Sequence, residues 1–192
     1  MAILLHLHVD RTKLYIGAFE DHTLKEVLSM KQPIITHGLR EFVTAISHVI
    51  NVMGDTYRKH DLSPACAHSM HVGMLLKDAL YPPWVVEAGI LFDAVQKGYI
   101  AFDAIPDAYG NDVAVLIALA NAQLDTVTNP EALAIRLAVA IEAIDSILFT
   151  SCQGVRESIM QDAKACRIHA AAYLGDGHAL VRQLQRTLQK AL

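Results

Sequence analysis

The chain has 192 residues, enough for one domain with a sizeable core. Apolar residues make up 53% and charged residues 19%, which excludes disorder and points to a helical protein with nearly all-apolar inner helices. The net charge is −4 and no Lys/Arg stripe stands out, which argues against duplex nucleic acid as a partner.

The first residues differ from the rest. Ile3, Leu5, Leu7 and Val9 alternate with Leu4, His6, His8 and Asp10, the period of a half-buried strand. Asp10-Arg11-Thr12 can turn, and Leu14 to Phe19 suits a partner strand. Residues 1–35 therefore read as a short β-hairpin and a short helix packed on the core, and residues 36–192 as one helical domain. A two-stranded hairpin is marginal alone, and its open edges favour pairing with a second copy. Met1 to Val9 has neither the basic start nor the small-residue cleavage site of a secretory signal.

From about Thr36 the period becomes helical, with Phe42, Ile46, Val49, Ile50 and Met53 at three- and four-residue steps. Gly54 to Pro64 is a polar loop, and Ser63 before Pro64 suits an N-cap for a helix reaching about Leu80. Pro82-Pro83 opens a helix that is apolar nearly all round, Trp84 to Val95, as expected at the centre of a bundle. A short helix around Phe102 to Tyr109 stops at Gly110, and another runs from Asn111 to about Asp125. Asn129-Pro130-Glu131 starts the next, to about Thr150, and two more (roughly 154–174 and 177–192) follow, separated by Gly175-Asp176-Gly177. No apolar run reaches the roughly 18 to 20 residues of a membrane span. Cys66, Cys152 and Cys166 lack CxxC spacing and read as reduced thiols, which together with the missing signal suggests a cytoplasmic protein.

Two residues stand out against this apolar background. His68 shares a helix face with Ala65, Val72 and Leu75, so it points inward. Asp93 sits inside Ala88-Gly89-Ile90-Leu91-Phe92-Asp93-Ala94-Val95, where a carboxylate costs several kcal/mol unless paired, hydrogen-bonded or metal-bound. On spacing alone they read as a satisfied core histidine and a carboxylate bonded within the bundle. The sharper alternative aims both at a shared site.

The stretches Pro64-Ala65-Cys66-Ala67-His68 to Leu75 and Val85 to Asp93, with Gly110-Asn111-Asp112-Val113-Ala114 beyond, resemble the HD hydrolase domain of the RelA/SpoT family. Tyr57-Arg58-Lys59 resembles its Arg-Lys loop and Arg136-Leu137-Ala138-Val139 a later element, so the likeness covers roughly residues 40 to 192. The closing helices resemble those of its small stand-alone hydrolases. The resemblance implies an all-helical, HD-domain-like bundle, and a manganese ion that serves to remove the 3′ pyrophosphate of (p)ppGpp. By that alignment His68 and Asp93 are metal ligands, Arg58 stacks on guanine, and Lys59 lies beside it.

The chain departs from the pattern at the chemistry. Phe92 stands at the second histidine, Gln96 and Lys97 at the Glu-Asp pair, and Val139 at the later aspartate. Two ligands rarely hold a catalytic ion, and Lys97 adds a like charge. The resemblance thus favours a catalytically inactive HD-fold homo-oligomer with a remnant site at His68 and Asp93. It would act by binding a guanine nucleotide, through Arg58 and Lys59, or a protein partner. No cofactor is expected, and a divalent metal such as Mn is the candidate if one is bound.

The competing reading is a metal phosphohydrolase with a rearranged set of His68, His71, Asp93 and Glu142. Against that set, His71 and Glu142 read more simply as surface or capping residues. A third reading is an interaction module in which His68 and Asp93 hydrogen-bond each other.

Overall fold

Apolar residues at helical spacing, punctuated by Pro and Gly, divide the chain into α-helices joined by short turns. The computed structural model describes residues 36–58, 62–147 and 152–191. The helices are α1 (Thr36–Met53), α2 (Ala65–Asp78), α3 (Pro83–Gln96), α4 (Ile105–Tyr109), α5 (Asn111–Asn121), α6 (Pro130–Ile147), α7 (Gln153–Leu174) and α8 (Ala179–Ala191). Single 3-10 turns at Phe102–Ala104 and Leu124–Thr126 precede α4 and α6. The chain divides into two units, Met1–His37 and Gly38–Leu192. The expected hairpin lies outside the described residues.

Local chemistry accounts for most helix ends. Pro83 opens α3, where its missing N–H costs nothing. Gly110 takes a φ of 92° at the turn between α4 and α5, a backbone geometry that suits glycine. Asn129 Oδ1 accepts the Ala132 N–H at 2.8 Å and caps α6.

The start of α2 departs from expectation. Pro64 occupies the N-cap position and no side chain caps the helix, so Ser63 does not play that part. The loop instead folds back on itself. Tyr57 and Pro64 form an antiparallel bridge, the Arg58 N–H donates to Ser63 O at 2.8 Å, and the Ala65 N–H donates to Thr56 O at 2.8 Å. This pairing fixes the backbone of Arg58 beside the first turn of α2.

The centre of the larger unit is α6, which packs against α2, α3, α5, α7 and α8. In α3, ten consecutive residues from Val85 to Ala94 are buried, as its all-round apolar sequence requires. Glycines let α2 and α3 approach closely. A Cβ at Gly73 would lie 2.4 Å from Ile90 Cγ1, and one at Gly89 would lie 2.2 Å from Leu76 Cδ1. Two polar pairs tie outlying segments together. His48 Nδ1 lies 2.8 Å from the Tyr109 hydroxyl, joining α1 to α4, and Tyr81 and His178 meet at 3.0 Å, joining two turns.

Helix α8 corrects the reading of the basic residues. It buries Leu180, Val181, Leu184 and Leu188, and carries Arg182, Arg186 and Lys190 one turn apart on its outer side. A short Lys/Arg stripe therefore does exist.

The contact between α2 and α3 is testable. Gly73→Val should lower stability by about 2 kcal/mol in urea denaturation, because the added methyls overpack against Ile90. An unchanged or raised midpoint would show that the two helices can separate at little cost.

Candidate functional site

Helix α6 carries a carboxylate and a hydroxyl one turn apart, Glu142 and Ser146, within an otherwise apolar face. Both are buried. Three elements supply their partners. The Arg58 guanidinium, from the loop after α1, donates through Nη1 to Glu142 Oε1 at 3.0 Å and Oε2 at 3.2 Å, and through Nη2 to Ser146 Oγ at 2.9 Å. The Ser146 hydroxyl donates to Ala143 O at 2.7 Å, which leaves its oxygen free to accept from Arg58. His68, on α2 and buried, makes a short hydrogen bond from Nδ1 to Glu142 Oε2. His71, one turn along α2 and more than half exposed, has Nδ1 at 3.9 Å from Glu142 Oε1, too far for a hydrogen bond.

Burial pushes the Glu142 carboxyl up, but the contacts from His68 and His71 and the charges of His68 and Arg58 outweigh it. The net effect holds its pKa well below the ordinary carboxylate range. Glu142 is therefore an anion inside the bundle, neutralised by protein groups.

Asp93 is buried on α3 but belongs to a different pair. Lys97, at the C-cap of the same helix, donates to Asp93 Oδ2 at 2.8 Å. The hydrogen bond imagined between His68 and Asp93 is not made: His68 turns to Glu142 and Asp93 to Lys97. Phe92 is buried in the core and Val139 packs against it. Gln96 is exposed and donates to Asn121 Oδ1 at 3.2 Å. Lys59 lies outside the described residues.

The cluster differs from the sequence reading in two respects. Glu142 is not a surface or capping residue; it is the acceptor on which a loop and a neighbouring helix converge. Arg58, which the sequence places in a polar loop, turns inward to Glu142 and Ser146. Ser146 was not singled out by the sequence, although a Glu and a Ser four residues apart on an apolar helix are a legible hint of a buried polar pair.

A divalent ion fits this arrangement poorly. Both carboxylates of the candidate set already have a protein cation on them, Arg58 for Glu142 and Lys97 for Asp93. Among the described residues, no group of three or more His, Cys, Asp or Glu side chains is placed to hold a metal. The rearranged set of His68, His71, Asp93 and Glu142 is thus split between two ion pairs.

No protein-family model and no curated protein matches the chain by sequence. A likeness does appear among solved structures. The chain is similar to a metazoan ortholog of SpoT that hydrolyzes ppGpp and plays a role in starvation responses. The TM-score is 0.67 at 17% identity, over 78% of this chain and 94% of that one. The chain shares an HD-like helical fold with that protein. No helix among the described residues is long and apolar enough to cross a membrane.

Two outcomes follow from the cluster. Arg58→Ala and Glu142→Ala should each cost about 3 kcal/mol, since each strands a buried partner, while the double variant should lose clearly less than the sum. Chemical denaturation of the four proteins checks this, and additivity would mean that the pair does not act as a unit. The second outcome is a pH dependence. The carboxyl titrates near 4.5 when unperturbed and lower in the folded chain, so its contribution is complete above about pH 4.5 and is lost as pH falls through the folded value. The stability gap between the native chain and Glu142→Gln should be full at pH 6 and close in acid.

Proposed function

We propose that this chain is a binding protein built on a hydrolase fold, with a protein as its partner, and that it does not hydrolyse nucleotides. One observation carries the reading. The Arg58 guanidinium is bound to Glu142 and Ser146, with His68 completing the cluster. A cation of the chain itself thus lies where neutralisation by a metal would otherwise be needed. The replacements at Phe92, Gln96, Lys97 and Val139 support the same view, because they take away donors and add a positive charge.

The inward turn of Arg58 also weighs against guanine-nucleotide binding. To stack on a base, the guanidinium would have to leave a buried carboxylate, which costs about 3 to 5 kcal/mol. The nucleotide reading draws on the likeness to a protein that hydrolyzes ppGpp, and that likeness extends to the fold.

Metal analysis and a turnover assay decide between the readings. Purified full-length chain should carry no stoichiometric Mn, Fe or Zn, and should release no pyrophosphate from ppGpp with added Mn. Stoichiometric metal, with turnover lost on His68→Ala or Asp93→Ala, would establish a working site and sink the proposal. Calorimetric binding of ppGpp or GTP at micromolar affinity, abolished by Arg58→Ala, would overturn the choice of a protein partner.

A further inference from the structure

Charge is segregated along this chain. Residues 98–135 hold five carboxylates, Asp103, Asp107, Asp112, Asp125 and Glu131, and no Lys or Arg. Residues 163–192 hold five bases, Lys164, Arg167, Arg182, Arg186 and Lys190, against the single acid Asp176. A net charge of −4 averages over the two and conceals both.

The fold puts these segments on different neighbours. Helix α8 packs on α6 and α7, whereas α4 packs on α5, and α5 on α3 and α6. On α8 the inner side is aliphatic and the outer side presents Arg182, Gln185, Arg186, Gln189 and Lys190, all exposed. Its cations recur every four residues, about 6 Å apart along the axis. Asp103 and Asp107 are likewise exposed and four residues apart, with Asp112 in the first turn of α5. Phe102, beside Asp103, is 46% exposed and adds an apolar side chain to the acidic surface.

None of these six charged side chains has a hydrogen-bond or ion-pair partner among the described residues. Unpaired charge of one sign on a rigid helix is ordinary when solvated. Two such surfaces of opposite sign are complementary to each other. They lie on one chain, in segments that do not pack together, so a second copy can supply the complement that the same copy does not.

We propose that the outer face of α8 docks on the acidic segment Asp103–Asp112 of another copy of this chain. The two surfaces can meet once per contact, giving a ring or an open chain, or twice about a two-fold axis, giving a dimer. Three cations on a chain of net negative charge are a poor match for a polyanion, which needs many phosphate contacts. A second copy supplies a small patch of the opposite sign and a similar number of charges. Since the contact rests on exposed ion pairs, it is weak and salt-sensitive.

Sedimentation velocity of the full chain across a concentration series tests this, with charge-reversed variants at solvent-exposed positions. At 50 mM salt the mass average should rise with concentration, and 500 mM salt should weaken association at least tenfold. R182E/R186E and D103K/D107K should each be monomeric, because each sets like charges against one another. Mixing the two variants should restore association, since every contact in the mixture again joins opposite signs. A native chain that stays monomeric at low salt overturns the proposal. So do variants that associate as the native chain does, or a mixture that remains monomeric although each variant keeps its native circular dichroism. None of these outcomes depends on whether the chain is a hydrolase.

Discussion

The constraint on which the rest of the bundle depends is the neutralisation of Glu142. A carboxylate on the central helix cannot remain charged among aliphatic side chains without partners, and leaving it unpaired costs several kcal/mol. The chain brings Arg58 from the loop after α1 and His68 from α2 to the same group. The backbone bridge between Tyr57 and Pro64 holds Arg58 beside α2, from where its guanidinium reaches Glu142. One buried charge thereby fixes the register of a loop and two helices. An ion pair of this kind contributes little net stability compared with an apolar replacement, and its effect is to make alternative packings expensive.

The same electrostatics bears on metal binding. A divalent ion beside Glu142 would have to share that carboxylate with the Arg58 guanidinium and would be repelled by its charge. Lys97 repeats the effect at Asp93. Phe92 and Val139 meanwhile put apolar side chains where ligands are found in the resembling family, and both pack into or against the core. These positions are, on the proposed reading, consistent with one another: cations cover Glu142 and Asp93, and Phe92 and Val139 add hydrocarbon. On the proposed reading the fold has kept its helices and replaced its ion with an arginine.

Much of the fold was legible in the sequence, for local reasons. Pro82-Pro83, Gly110, Asn129-Pro130 and Gly175 mark helix ends because each has a backbone or capping property that acts within a few residues. The burial of Val85 to Ala94 in α3 could be read from its nearly all-apolar run. The cluster could not be read in this way. Arg58 and Glu142 are 84 residues apart, and His68 and Glu142 are 74 apart, so no periodicity links them. The resemblance to the RelA/SpoT family suggested that His68 and Asp93 share a site, whereas in the structure His68 turns to Glu142 and Asp93 to Lys97. Ser63 failed as a cap for a related reason: the loop's own backbone pairing had already set how the chain enters α2.

The basic stripe was missed through averaging. Net charge and overall composition are properties of the whole chain, whereas a helix face is selected by every third or fourth residue. Arg182, Arg186 and Lys190 are separated by Gln, Leu and Thr in sequence and come together only when α8 forms and its Leu180, Val181, Leu184 and Leu188 choose the buried side. The apolar residues of α8 therefore decide where its charges point. The acidic segment is ordered in the same way, through Ile105 and Val113, whose burial leaves Asp103, Asp107 and Asp112 in water. Packing against the core thus creates two faces of opposite sign, although neither face is needed for the core to form. What the core does require is a cation inside, and there the chain uses Arg58.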